Sequence, residues 1–347
     1  RSTLFPYTTL FRSRTGFEFD ANAPRALRAM VGVVVAGLGV ALWQLLRPSA
    51  GAPSLPSSDE IERANNIVHT QPSAEANLAL MGDKHLLFST PGNAFIMYGR
   101  QGRSWISLFD PIGRRAEWQE LIWGFIELAT DHGGRASFYQ VRGESLPLYL
   151  DAGMRAFKLG EYAYVQLKEF TTKGSKRSHL RQAINRGERD GLEFSIIQPA
   201  EVSALLPELR TVSDAWLEGQ ETREKGFSLG TFEPAYVARQ PFALVRQQGQ
   251  LVAFANLLST QMKSEASVDL MRQMPLAPPG TMDFLFTKLM LYFQAEGYQR
   301  FGLGMAPMSG MASHELAPRW HRFGRLLFDH GAGSRSEERR VGKECRS

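Results

Sequence analysis

The sequence predicts an α/β protein in which one unit, strand–strand–helix–strand, occurs twice. The first copy spans residues 93–142 and the second spans 241–305. In the helices at 116–134 and 280–298, apolar residues recur at i, i+3, i+4 and i+7, as on the buried face of an amphipathic helix. Each helix stops at a glycine, Gly133 or Gly297, which is a typical C-terminal cap. The repeated order indicates two related modules.

A meander of strands followed by a helical crossover is the core of the acetyltransferase-like (GNAT) fold. The predicted fold class is therefore α/β (α+β), with tandem GNAT-like modules joined by a basic helix. We expect the first module at 76–167, the connecting helix at 168–191 and the second module at 192–334.

An apolar segment precedes the modules. Residues 29–46 form an uncharged run of eighteen residues, with arginines on both sides. That length is just sufficient to span a hydrocarbon core of roughly 30 Å at about 1.5 Å per residue. No compact small-residue cleavage site follows, so we favour a transmembrane helix over a secretory signal peptide. A pre-membrane segment at 14–28 and a linker at 47–75 flank it.

The first and last thirteen residues, 1–13 and 335–347, are interpreted as foreign sequence. For one choice of codons, the reverse complement of the first segment translates residue for residue into the last, as expected of a sequencing adapter read from both ends. Each segment carries a net charge of +2, so the formal charge falls from +5 to +1. Cys345, the single cysteine, is removed as well. Disulfides, thiolate metal sites and cysteine nucleophiles are thereby excluded.

Neither a metal nor a cofactor is expected. The seven histidines have no HExxH or other tight ligand spacing. Coenzyme A needs a run of backbone N–H groups at a helix start to hold its pyrophosphate. The corresponding stretch, "RQMPLAPPGTMD" at 272–283, has three prolines, which lack that donor, and one glycine.

Positive charge is concentrated between the two copies. The stretch at 168–191 contains seven basic and three acidic residues in an otherwise nearly neutral domain. One interpretation is a solvated helix face; the other is a surface that binds a phosphate backbone. The candidate binding residues are Lys173, Lys176, Arg177, Arg181, Arg186 and Arg189.

Asp269 and Arg272 are unusual charged residues in the apolar strand "VDLMR". In a regular strand, residues three apart lie on opposite faces. Joint action therefore requires a β-bulge or a strand end. The alternative is a buried structural ion pair between the two side chains.

Seven segments stand out along the chain. They are "LGEYAYVQL" at 159–167, "SDAWL" at 213–217, "EKGFSLGTF" at 224–232, "FANLL" at 254–258, "VDLMR" at 268–272, "PPGTMDFLF" at 278–286 and "GLGMAPM" at 302–308. Together they resemble the catalytic domain of the phosphatidylglycerol lysyl/alanyltransferases, the MprF-type multiple peptide resistance proteins. The segments follow the family's order, and the resemblance covers essentially all of 76–330.

The resemblance implies a multi-pass protein of the bacterial inner membrane. Its N-terminal part, which would be missing from this fragment, flips aminoacylated lipid, and its cytoplasmic domain makes that lipid. The reaction transfers a lysyl or alanyl group from aminoacyl-tRNA to phosphatidylglycerol, which gives resistance to cationic antimicrobial peptides. The family also continues beyond "LLFDHG" (326–331), so the second module would be truncated here.

The resemblance also suggests roles for the candidate residues. Asp269 would orient or deprotonate the acceptor hydroxyl or bind the aminoacyl amine, and Arg272 would hold a phosphate or the oxyanion. The basic stretch would receive the tRNA acceptor stem. Substrate-binding roles follow for Glu224, Lys225, Ser228 and Tyr236.

Three alternatives remain open at this point. One is a Fem-type transferase that uses aminoacyl-tRNA to extend peptidoglycan precursors. The second is an acetyl-CoA-dependent acetyltransferase of the GNAT class. The third is a non-catalytic module that binds tRNA or lipid.

Overall fold

The computed structural model describes residues 25–46, 53–220, 224 and 226–311. The segments 1–13 and 335–347, the histidines beyond residue 311 and the end of the second module lie outside these residues, as does Lys225. The chain divides into two compact units, Arg1–Gly51 and Ala52–Ser347, which are described separately.

The first unit contains one described helix, α1 (Arg25–Leu46), which includes the predicted apolar segment. Its side chains are described over residues 29–42, where large apolar residues such as Met30 and Val33 are exposed. Among the residues whose side chains are described, which in α1 are 29–42, no helix is both long enough and apolar enough to cross a membrane.

The second unit begins with a capped helix and a five-stranded sheet. A capping box between Ser57 and Glu60 starts helix α2 (Ser58–Val68), and a 3₁₀ helix follows at Ala74–Met81. The first sheet has the order β1-β2-β3-β5, with β4 paired to β2, and only the β3–β5 pairing is parallel. Its strands are β1 (His85–Phe88), β2 (Ala94–Gln101), β3 (Ser104–Leu108), β4 (Ile112–Gly113) and β5 (Arg135–Tyr139). Helix α3 (Trp118–Asp131) is the crossover before β5, and a short helix, α4 (Leu146–Asp151), follows.

The second sheet has six strands in the order β6-β11-β10-β9-β8-β7. They are β6 (Gly160–Gln166), β7 (Leu192–Ile197), β8 (Phe242–Gln247), β9 (Gln250–Ser259), β10 (Glu265–Gln273) and β11 (Arg300–Pro307). The helices are α5 (Ser178–Arg189), α6 (Pro199–Gln220), α7 (Pro234–Val237) and α8 (Thr281–Ala295). Strands β10 and β11 are parallel and pair at Glu265–Arg300 and Ala266–Phe301.

The predicted mixed α/β class and the repeated order of elements are confirmed by the two sheets. Strand β6, which we assigned to the first module, pairs with β11 in the second sheet. The edge of the second sheet is therefore formed by a segment that precedes the basic helix in the chain.

Three apolar clusters hold the two sheets and their helices together in layers. One contains residues of both sheets, including Phe95 and Met97 of β2 and Phe242 and Phe254 of the second sheet. The outer face of the first sheet packs on α3. The outer face of the second sheet packs on α5 and α8. The inner face of the second sheet is therefore the one that looks toward the first sheet.

Candidate functional site

A β-bulge in β10 decides where the two charged residues point. The register with β9 shifts between Val268 and Met271, and the backbone N–H of Leu270 donates to Asn256 Oδ1 at 2.6 Å. Val268 and Met271 pack with the outer-face cluster, whereas Leu270 belongs to the inner cluster. A bulge changes the alternation of a strand. Both charged side chains consequently contact groups on the inner side of the sheet.

The Asp269 carboxylate is held by two donors. Its Oδ1 accepts a hydrogen bond from Gly230 N at 2.7 Å, and its Oδ2 accepts one from the Tyr236 hydroxyl at 2.9 Å. Burial raises the pKa of Asp269, against the opposing effects of these donors and of the positive charges on Lys84 and Arg272. Burial likewise raises the pKa of the fully buried Tyr236, which therefore remains a protonated donor. The carboxylate is fixed in position and more basic than an exposed aspartate.

Arg272 pairs with Glu224 rather than with Asp269. The Nη2–Oε1 distance to Glu224 is 3.0 Å, and the guanidinium carbon lies 4.0 Å from the centroid of the Trp216 ring. The Glu224 carboxylate also accepts from Phe232 N. Within the described part of the chain, Arg272 Nε has no hydrogen-bond partner. The alternative of a direct ion pair between Asp269 and Arg272 is therefore wrong. Each side chain is held by its own partners.

The loop at 224–232 provides contacts to both groups. Glu224 binds Arg272, and Gly230 binds Asp269. A Cβ atom on Gly230 would lie 1.8 Å from Asp269 Oδ2, so glycine is required for this close approach. Ser228 is half-buried in the same loop, where its N–H donates to Gly226 O. Of the predicted residues, Glu224, Tyr236, Asp269 and Arg272 are thus brought into one site.

Lys84 is a site residue that sequence analysis missed. It is 1% exposed, and its Nζ lies 2.7 Å from Asp83 Oδ1 and 3.3 Å from Leu78 O. Burial lowers its pKa, and the negative charges of Asp83 and Asp269 oppose that shift. In the sequence, "GDKH" resembles an ordinary polar turn before a strand, and only the burial of Lys84 and its charge interaction with Asp269 reveal its place in the site.

The basic segment lies on the other side of the second sheet. Helix α5 packs on α8, where Gly187 allows close contact because a Cβ there would meet the Phe284 ring at 2.3 Å. Arg181 donates to the carbonyls of Thr172 and Gly174. Arg186 pairs with Asp190 at 3.7 Å.

Exposure differs along this segment. Lys173 and Lys176 are exposed near the start of the segment, and Arg186 and Arg189 are exposed along α5. Arg177 is half-buried at the end of a 3₁₀ turn, Ser175–Arg177. The structure therefore does not bring the basic segment onto the face that carries Asp269.

A family model described as "Phosphatidylglycerol lysyltransferase, C-terminal" matches residues 65–334. The phosphatidylglycerol lysyltransferase of Bacillus subtilis is 39% identical over 259 residues, which cover 74% of this chain and 30% of that protein. The enzyme of the same name from Staphylococcus epidermidis is 33% identical over 259 residues, with 74% and 31% covered. The chain thus spans about a third of the length of these relatives.

The similar solved structures include two from bacteria. One is a C-terminal DUF2156 domain from Agrobacterium fabrum, with 47% identity and a TM-score of 0.75 over 83% of this chain and 89% of that one. The other is L-PGS from Bacillus licheniformis, with 35% identity and a TM-score of 0.75 over 86% and 90%. The chain therefore belongs to the phosphatidylglycerol lysyltransferase C-terminal family.

Proposed function

We propose that this chain carries the catalytic domain that transfers an aminoacyl group, lysyl or alanyl, from aminoacyl-tRNA to phosphatidylglycerol. The main support for the proposal is the β10 bulge, because it places the Asp269 carboxylate, whose pKa is raised, and the Arg272 guanidinium on the same side of the sheet. Proteins that share this domain are named phosphatidylglycerol lysyltransferases. Added aminoacyl amines would reduce the negative charge of the membrane surface and weaken its attraction for cationic peptides.

In the proposed reaction, Asp269 removes the proton from a glycerol hydroxyl of the lipid. The hydroxyl oxygen attacks the acyl carbonyl of the aminoacyl ester and forms a tetrahedral intermediate. Collapse of the intermediate breaks the bond to the ribose oxygen of the tRNA, which takes the proton from Asp269. The raised pKa of Asp269 suits a group that both accepts and returns a proton. Its two hydrogen-bond donors keep the carboxylate oriented for this exchange.

Arg272 would stabilise the oxyanion of the tetrahedral intermediate. Trp216 and Glu224 hold its guanidinium in one orientation, and preorganised donors are effective because they need no rearrangement during the reaction. Ser228 and Lys225, in the same loop, are proposed to line the substrate entry.

The basic segment is proposed to bind the tRNA acceptor stem. Lys173, Lys176, Arg186 and Arg189 support this through their exposure. Because phosphate contacts release counterions, Lys173→Ala and Arg189→Ala should weaken tRNA binding most at low salt. Lys158→Ala, which removes a cation paired with Glu161 outside the segment, is the control. Equal losses for all three variants at every salt concentration would refute the assignment.

The location and domain boundaries complete the proposal. We place residues 29–46 across the bacterial inner membrane and the two modules in the cytoplasm, where aminoacyl-tRNA is found. The uncharged run of eighteen residues supports this. We propose GNAT-like modules at 76–167 and 192–334. The presence of two sheets supports a division into two modules, although β6 of the first range pairs in the second sheet.

The test is a transfer assay in phosphatidylglycerol vesicles. Labelled Lys-tRNA, Ala-tRNA and acetyl-CoA are supplied separately, with and without prior RNase treatment. We expect lipid labelling from one or both aminoacyl-tRNAs, which RNase abolishes. Labelling only from acetyl-CoA would instead identify an acetyltransferase, and labelling from none would refute the proposal.

A variant pair connects the activity to the site. Asp269→Asn should lower kcat by roughly 100-fold or more, since general-base catalysis contributes that much. Asp214→Asn changes an exposed aspartate on α6 and should have little effect. If Asp269→Asn retains full activity, Asp269 is not the base; if Asp269→Asn and Asp214→Asn are equally impaired, the loss is not specific to the site.

A further inference from the structure

A second polar cavity lies away from Asp269, where the edge of the second sheet meets the first module. Its volume is about 570 Å³. Its main polar lining residues are Glu75, Arg142, Glu144, Tyr162, Tyr164 and Arg300. Glu75 belongs to the 3₁₀ helix at Ala74–Met81, and Arg142 and Glu144 belong to the segment after β5. The two tyrosines lie on β6 and Arg300 lies on β11. The reaction proposed above uses none of these side chains.

The two arginines of the cavity are already paired. Glu265, at the start of β10, is fully buried, and its Oε2 lies 3.0 Å from Arg300 Nη2 and 3.5 Å from Arg142 Nη2. Arg300 also stacks over the Tyr164 ring at 4.5 Å. An incoming anion would have to compete with a buried carboxylate for these cations. The arginines therefore make the cavity a poor anion site.

The carboxylates of Glu265 and Glu75, in contrast, provide further hydrogen-bond acceptors. Glu265 Oε1 is buried and has no hydrogen-bond partner among the described residues. Glu75 lines the cavity, and no lysine or arginine in the described ranges forms a salt bridge with it. Burial raises the pKa of Glu75 to about 7. A hydrogen bond with Tyr162 and the positive charges of Arg142 and Arg300 oppose this shift, and the negative charge of Glu265 adds to it. The nearby Tyr162 hydroxyl stays protonated, because burial and both glutamates raise its pKa. The cavity thus has an excess of oxygen acceptors.

We propose that this cavity binds a primary ammonium group, with Glu75 as its counter-ion. An ammonium group has three N–H donors. Among the residues that line the cavity, Glu75 and Tyr162 offer oxygens to accept them, and the nearby Glu265 carboxylate adds negative charge. The neighbouring rings of Tyr162 and Tyr164, with centroids 4.5 Å apart, add an aromatic wall that favours cations. Binding keeps Glu75 ionised and gives its half-buried carboxylate a cationic partner.

The cavity is distinct from the Asp269 site. Glu265 and Asp269 are four residues apart on β10, about 13 Å at roughly 3.3 Å per residue. The shared chemistry fits an amine on an aminoacyl group, an ethanolamine lipid headgroup or a free alkylamine. The proposal concerns binding alone, so it does not depend on whether the chain transfers aminoacyl groups.

The test is a calorimetric titration of the whole chain at pH 8 with three amines: butylamine, L-lysine amide and glycerophosphoethanolamine. Inorganic phosphate is titrated as the competing anion. We expect at least one amine to bind and phosphate not to bind. Tighter binding of lysine amide would indicate an aminoacyl ligand, tighter binding of glycerophosphoethanolamine a lipid headgroup, and equal binding a free amine. Binding of phosphate but of no amine would overturn the proposal.

Matched variants locate the bound amine. Glu75→Gln should weaken amine binding at least tenfold, whereas Glu127→Gln, at an exposed carboxylate of α3 that does not line the cavity, should leave it unchanged. Butylamine stays protonated between pH 8 and pH 5.5, so its affinity should fall as the pH drops through about 7 and Glu75 becomes protonated. Arg142, Arg300, Tyr162, Tyr164, Glu144 and Glu265 are the other charged or titratable groups around Glu75. Equal affinities for wild type and Glu75→Gln would exclude Glu75 as the counter-ion.

Discussion

Replacing Glu75 by glutamine should stabilise the protein, and only above the usual pKa of a glutamate. In the folded chain, the pKa of Glu75 is raised from 4.5 to about 7. A raised carboxyl pKa means that the folded state binds the proton more tightly than the unfolded state does. The favourable contribution is therefore complete below about pH 4.5 and is lost as the pH rises through about 7.

The magnitude follows from the size of that shift. One pKa unit corresponds to about 1.4 kcal/mol, so the loss of stability between pH 4.5 and pH 8 is about 3 kcal/mol. Glutamine is similar in shape to protonated glutamate but does not titrate. Glu75→Gln should therefore match the wild type near pH 4.5 and exceed it by about 3 kcal/mol at pH 8.

Urea unfolding of wild type and variant at pH 4.5, 6, 7 and 8 measures this difference. Other titrating groups, such as the buried Asp110, affect both proteins alike and cancel in the comparison. Glu144→Gln, at an exposed carboxylate, is the matched control for the substitution itself. A Glu75→Gln difference that stays below about 1 kcal/mol at pH 8, or that grows toward acid pH, would refute the reasoning.

Three further predictions concern the Asp269 site. Gly230→Ala places a Cβ 1.8 Å from Asp269 Oδ2 and should abolish transfer, while Gly226→Ala, whose Cβ meets nothing closer than 3.9 Å, should be active. Tyr236→Phe removes a donor to the carboxylate, so kcat should fall roughly 10- to 100-fold and the acid limb of the pH–rate profile should move to higher pH; an unchanged limb would contradict this. Lys84→Met removes a positive charge that favours ionised Asp269, so its acid limb should move the same way, and an unchanged profile would exclude a role for Lys84.

The repeated order of elements could be predicted from the sequence because it depends on local periodicity. The crossover helices α3 and α8 bury one face each, and that pattern is visible as apolar residues at helical spacing. The partner of β6 could not be predicted, because strand pairing depends on contacts between residues far apart in the chain. In the structure, β6 pairs with β11, more than a hundred residues later.

The candidate site, too, could be predicted only in part from the sequence. Asp269 and Arg272 stand out as charges in an apolar strand, and the period of two shows that a bulge is needed to bring them to one side. The bulge itself follows from a tertiary contact, the hydrogen bond from Leu270 N to Asn256 Oδ1. Lys84 could not be recognised from the sequence, because a buried lysine and an exposed one have the same local pattern.

By itself, the sequence determined the fold class, the two charged residues of β10 and the basic segment, since each is a matter of composition or local spacing. Only the tertiary structure decided that Arg272 pairs with Glu224, that Gly230 and Tyr236 hold Asp269, and that Glu75 lies close enough to Glu265 to feel its charge. These contacts join residues from 33 to 48 positions apart in the site and from separate modules in the second cavity. The energies that select such contacts, burial of charge and close packing, exist only once the sheets have come together.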